Sequence, residues 1–211
     1  MSEVDMTAGT GHAGLMEESP YGIPSGKLAM WCFVISDAVT FSAVLFAYGY
    51  LRIGSPNWST PFEFIPSILN GLVMTFVLLT SGLTMLAAVE AAKAGNTAAG
   101  TRWLWATCAL GGLFAGMHLM EWRHLIDEGW RLFENPLGGS VHFGAAFFSI
   151  TGLHLMHVVG GVCALAVIAF GFRRGSYNKI DVEVLGIYWH FVDLVWMFVF
   201  PLVYLMNVSL K

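Results

Sequence analysis

The stretch Tyr188-Trp-His-Phe-Val-Asp-Leu-Val-Trp196, continuing to Phe200-Pro-Leu-Val-Tyr204, decides how the rest of this chain is read. It is apolar enough to lie in a membrane, yet it carries His190 and Asp193 at spacing i, i+3 and Trp189 and Trp196 seven residues apart. Residues three or four apart share a helix face, and seven apart return to the same stripe. An Asp–His pair inside a membrane span is expensive and calls for a partner. From the residues alone it serves equally well as a proton relay or as a lock holding helices in register.

Working outward, the segment around it, Val184 to Leu210, is the last of five runs long enough to cross the hydrocarbon core, which takes about 20 apolar residues. The others are Leu28 to Leu51, Ile65 to Val89, Trp103 to Leu125 and Val141 to Phe172. These runs do not alternate apolar and polar residues as barrel strands do. The expected fold is all-α: a five-helix transmembrane domain over 27–211 with spans at about 28–51, 65–89, 103–125, 141–172 and 184–210. A polar tail over 1–26 precedes it. Glu3, Asp5, Glu17 and Glu18 in that tail are not what a signal peptide carries.

Composition agrees. The chain has 211 residues, 56% of them hydrophobic and 11% charged, against about 25% charged in soluble domains. A net charge of −4 with no basic block excludes a nucleic-acid partner. Cys32, Cys108 and Cys163 match no disulfide or zinc spacing and read as small buried hydrophobes. Lys27, Lys93, Arg102, Arg173, Arg174 and Lys179 fall on one side of the five spans, and Arg52, Arg123, Arg131 and Lys211 on the other. The positive-inside rule then places the N-terminus inside and the C-terminus outside.

The intramembrane polar residues are the candidate functional groups. Asp37 stands near mid-depth of the first span, as a proton-active or lipid-cleft carboxylate or as a buried carboxyl bonded to a neighbouring helix. His118, Glu121 and His124 form a His-x-x-Glu-x-x-His pattern on the third span, and His154 and His157 share a face of the fourth beside Gly160 and Gly161. Each set has a metal reading. Each also has a plainer one, in hydrogen bonding and close helix packing.

Several stretches resemble subunit III of the haem–copper respiratory oxidases, in its short five-helix bacterial form. The Tyr188–Tyr204 stretch resembles that family's last helix. Phe143-Gly-Ala-Ala-Phe-Phe-Ser-Ile-Thr-Gly-Leu-His-Leu-Met-His-Val158 resembles its Phe-Gly-x-x-Phe-Phe-x-x-Thr-Gly-x-His-x-x-His-Val segment. Met30 to Phe41, Leu78 to Thr84 and Gly112 to Trp122 resemble the earlier helices. The first-helix carboxylate is Asp37, as in the quinol-oxidase type, and Leu155 stands where a Gly is common.

The resemblance implies helices in two groups around a V-shaped cleft that holds phospholipids. It implies a chain with no haem, copper or other metal of its own, those cofactors lying on partner subunits. The partners are subunit I, which reduces oxygen and pumps protons, subunit II, and membrane phospholipids, in the bacterial cytoplasmic membrane. The implied role is to stabilise subunit I, support its proton uptake and protect it during turnover. On this reading Asp37 lies at the cleft and stays protonated. Glu121 pairs with bundle groups such as His154 or His157, and His190 and Asp193 lock helices together. Arg173, Arg174 and Trp31 meet lipid headgroups. The alternatives are a subunit III-like protein of nitric oxide reduction, and a membrane metalloenzyme using His118, His124, His154, His157 and His190. A transporter is less well supported, since no inverted repeat is seen.

Overall fold

A computed structural model describes residues 22–62, 64–138 and 140–209. The tail expected over 1–26 lies outside the described residues as far as residue 21, and so does Lys211.

Five long helices follow one another: α1 (Ser25–Gly54), α2 (Leu69–Lys93), α3 (Thr97–Asp127), α4 (His142–Arg173) and α5 (Lys179–Val199). All five are long and apolar enough to cross a membrane. Each runs a few residues past its apolar stretch at one or both ends. The reason is capping and the reach of polar side chains into the boundary layer. The Asn96 side chain accepts from the Ala99 N–H at 3.0 Å to start α3. Asn178 and Asp181 form a reciprocal capping box at the start of α5. Two ends are irregular. A widened turn, Phe64–Ile68, precedes α2, and α5 continues through another, Phe200–Tyr204, into a tight turn, Leu205–Asn207. Pro201 explains the second: it has no N–H to bond the preceding turn.

The two groups of helices are unequal. α2, α3, α4 and α5 pack on one another as a four-helix body, while α1 leans on α5 and α4 from outside. Only 11% of the apolar window of α1 is buried, against 56% for α5 and its extension, so α1 is the peripheral helix. A groove of about 650 Å³ runs between α1 and α5. Of the cysteines, only Cys108 is partly covered; Cys32 and Cys163 point outward from their helices, contrary to the expectation of burial, and all three are free. In lipid an outward-facing thiol is covered by acyl chains, so apolarity alone does not require protein burial.

Interhelical hydrogen bonds fix the register of the four-helix body. Trp189 Nε1 donates to Ser81 Oγ at 3.0 Å and Trp196 Nε1 to Thr75 Oγ1 at 3.0 Å, so two tryptophans seven residues apart tie α5 to α2 twice. Tyr188 Oη donates to the His157 carbonyl at 2.8 Å, and Trp122 Nε1 donates to Thr151 Oγ1 at 3.1 Å. Such bonds contribute about 0.6 kcal/mol each on average in a membrane. Their value here lies in setting register as much as in strength.

Candidate functional site in the membrane interior

The candidate residues resolve into four separate settings. The first joins α1 to α4. Asp37 Oδ2 lies 2.9 Å from His157 Nε2, both side chains nearly buried. On the other side of the ring, His157 Nδ1 is 2.8 Å from the Leu153 carbonyl. A carbonyl only accepts, so Nδ1 carries a proton. The Asp37 Oδ2–His157 Nε2 approach is close in distance but is not aligned as a hydrogen bond. Phe41, one turn along α1, covers the imidazole edge-on at 5.3 Å. Both residues sit about 18–26 Å from their helix ends at 1.5 Å per residue, near mid-depth.

The Asp37 contact dictates a pair of outcomes. Asp37→Asn keeps a group that can meet Nε2 and is expected to leave assembly intact, with less than about 1 kcal/mol lost. Asp37→Leu strands the imidazole and is expected to cost about 1–3 kcal/mol. Thermal unfolding of the purified complex checks both, and equal losses would show that the polar contact contributes nothing.

The second setting is the core of the four-helix body. Tyr204 Oη donates to Glu121 Oε2 at 2.8 Å. Glu121 thus finds its partner on the C-terminal extension of α5 rather than at His154 or His157. His118 Nδ1 is 3.9 Å from the same carboxylate oxygen. His118 and His154 are fully buried on either side of Trp196, with ring centroids 5.7 and 5.2 Å away. His154 Nε2 donates to the Val192 carbonyl at 3.2 Å, a bond from α4 to α5.

The third setting is the His190–Asp193 pair. Both groups belong to α5, with His190 Nδ1 3.8 Å from Asp193 Oδ2. The pair meets α2: a Cβ at Gly82 would lie 2.6 Å from Asp193 Oδ2 and 3.6 Å from His190 Nδ1, so only glycine leaves room for the carboxylate. His190 is half exposed. The fourth setting holds Trp31, Arg173 and Arg174, all exposed at the end of the bundle where α1 begins and α4 ends. The Arg174 guanidinium lies 3.9 Å over the Phe170 ring.

These positions bear on the metal readings. His124 pairs with Glu128 at the exposed end of α3, and His157 with Asp37. Among the described residues, no three His, Cys, Asp or Glu side chains converge in a way that would hold a metal ion.

The groove between α1 and α5 is lined by Ala38, Phe41, Leu45, Gly49, Phe198 and Leu202 among others, and is almost wholly apolar. It starts one residue past Asp37 and runs to Ile53, about 22 Å along α1. It therefore opens toward the C-terminal end of α1. Trp31, Arg173 and Arg174 stand at the opposite end of the bundle.

Sequence reasoning missed one polar network. Asn207 is fully buried. Its Oδ1 accepts from Arg52 and, at 2.7 Å, from Trp58 Nε1, while its Nδ2 donates to Tyr48 Oη at 2.8 Å and to the Val203 carbonyl at 2.6 Å. Tyr48 Oη in turn donates to the Leu202 carbonyl at 2.7 Å. This is what fastens the free end of α1 to the C-terminal turns. The signal was present in an Arg and an Asn each at the rim of an apolar run, where polar residues are ordinary.

Comparison with known proteins agrees with this architecture. The family described as Cytochrome c oxidase subunit III matches residues 18–208. The chain is 33% identical to cytochrome c oxidase subunit 3 of Alkalihalophilus pseudofirmus, over 86% of this chain and 87% of that one. It is 35% identical to cytochrome bo(3) ubiquinol oxidase subunit 3 of Pseudomonas aeruginosa, over 84% and 83%. A third relative is a haem–copper oxidase subunit I+III of Aeropyrum pernix, 29% identical over 91% of this chain but 24% of its own length. With a match across nearly all of its five helices, this chain belongs to the cytochrome c oxidase subunit III family, a multi-pass membrane subunit of a haem–copper oxidase complex.

Proposed function

We propose that this chain is the subunit III that stabilises the catalytic subunit I of a haem–copper terminal oxidase, supports its proton uptake and holds phospholipid, with no redox centre of its own. The observation that carries the reading is the Aeropyrum pernix relative, named as subunit I+III, in which the counterpart of this chain is one part of a longer polypeptide. A fused relative supports subunit I as the main contact. Subunit II and the haems and copper belong to the rest of the complex. The excess of Lys and Arg on one side supports an N-terminus inside and a C-terminus outside the bacterial cytoplasmic membrane. The electron donor is cytochrome c or a quinol, as the names of the two kinds of relative say of those proteins. An oxidase assembled without this chain is expected to take up protons more slowly and to inactivate sooner during turnover. Unchanged uptake and lifetime would remove the supporting role.

The α1–α5 groove is the lipid site. Its 22 Å length suits one acyl chain, and burying each CH₂ contributes about 0.8 kcal/mol. The lipid enters from the leaflet at the C-terminal end of α1, with its tail ending near the Asp37–His157 pair. Arg173, Arg174 and Trp31 meet headgroups of the other leaflet. A test fills the groove. A Cβ at Gly49 would meet nothing within 4 Å, so Gly49→Phe occupies the groove without touching the fold. Native mass spectrometry of the complex should show one bound phospholipid fewer than in the unaltered protein. Equal lipid counts would rule the groove out.

A further inference from the structure

The four-helix body contains a cluster of buried polar atoms that no protein group satisfies. They are both ring nitrogens of His118, Nδ1 of His154 and Oε1 of Glu121. The two histidines lie against Trp196 and the Glu121 carboxylate lies 3.9 Å from His118, all within the membrane-spanning part of the chain. In that medium an unsatisfied polar group costs several kcal/mol, and a neutral imidazole needs both a donor and an acceptor. Four such atoms in one cluster are not tolerable dry.

A second observation shows where relief comes from. A pocket of about 270 Å³ reaches Glu121 from the end of α3, lined also by Phe62, Ser67, Asn70, His124 and Leu125. Ser67, Asn70, Glu121 and His124 bring polar side chains to a lining that is otherwise apolar. His124 is 60% exposed there. Glu121 stands six residues, about 9 Å, from the end of α3, close to the aqueous boundary. The pocket has room for several waters, each of which needs two to four polar partners.

We propose that this pocket is a water-binding site and that water continues past Glu121 Oε1 to His118 and the free nitrogen of His154. Glu121 then exchanges protons with the aqueous phase at the C-terminal end of the bundle, although it is buried. The site is separate from the Asp37–His157 pair and from the lipid groove, which lie on the α1 side of α5. Its occupant is water and, in passing, its excess proton.

The test is radiolytic labelling of the intact oxidase complex in H₂¹⁸O. Radicals formed at ordered internal water oxidise the side chains beside it, even those closed to bulk solvent. Trp196 and Tyr204 are 0% exposed, and so is Trp189, which packs between Gly111 and Gly161. Trp189 is therefore the internal standard. Incorporation of ¹⁸O at Trp196 and Tyr204 should exceed that at Trp189 severalfold. Equal labelling of the three would overturn the proposal. Asn70→Leu, at the half-buried mouth of the pocket, should bring Tyr204 down toward the Trp189 level, and undiminished labelling would overturn the route through the pocket.

Discussion

Replacing Gly161 with Leu is expected to abolish stable folding of the subunit, at a cost of about 3 kcal/mol or more, whereas Gly112→Leu is expected to be nearly neutral. The contrast follows from Trp189, a fully buried side chain. Its ring lies between α3 and α4: a Cβ at Gly111 would be 2.5 Å from it, and one at Gly161 would be 2.8 Å. Overpacking a close-packed site costs about 1–3 kcal/mol and sometimes more. Here there is no slack, because Trp189 is also held by its hydrogen bond to Ser81 and the Tyr188 ring touches Gly161 as well. Gly112 sits one residue from Gly111 but faces outward, with nothing within 4 Å of a Cβ. Yield and thermal stability of the membrane-extracted complex measure both variants. Similar behaviour of the two would show that Trp189 does not hold the bundle together.

The second large effect is expected at Asn207. Asn207→Leu keeps the branching of the side chain but removes the acceptor for Arg52 and Trp58 and the donor to Tyr48. Leaving a buried hydrogen-bonding group without its partner costs about 1–3 kcal/mol. Arg52 keeps its bond to the Met206 carbonyl, so the lower figure is expected. Because this network fastens α1 to the C-terminal turns, the loss should fall on α1 first. Limited proteolysis in the α1–α2 loop should become faster, with the four-helix body still intact. Unaltered proteolysis would mean that α1 is held by its apolar contacts alone.

Much of this architecture could be read from the residues, because five apolar runs separated by turn residues leave few other folds in a membrane. The last-helix motif also read correctly as a stripe: Trp189 and Trp196 do face inward together. Other features depend on contacts that spacing does not carry. Asp37 and His157 are brought together across two helices far apart in sequence, and Glu121 finds Tyr204 rather than a histidine. Spacing reports only residues on the same helix, so it pairs His190 with Asp193 without showing what they meet on α2. In the structure both groups lie against Gly82 of α2, Asp193 Oδ2 more closely than His190 Nδ1. The unequal grouping of the helices was hidden for another reason. A helix that is apolar all round gives no sign of which face meets protein and which meets lipid. The exposed apolar side chains of α1, Phe46 and Ile53 among them, look no different in sequence from buried ones.

The central claim is that the chain works as a subunit beside a catalytic partner. The most direct measurement is purification of the tagged chain from its native membrane in mild detergent, followed by a haem spectrum and identification of the copurifying proteins. The account predicts a haem-bearing oxidase subunit I in equal amount, with no metal remaining on this chain once the subunits are separated. A chain recovered without that partner, or one carrying its own metal on His118, His154 or His157, would contradict it.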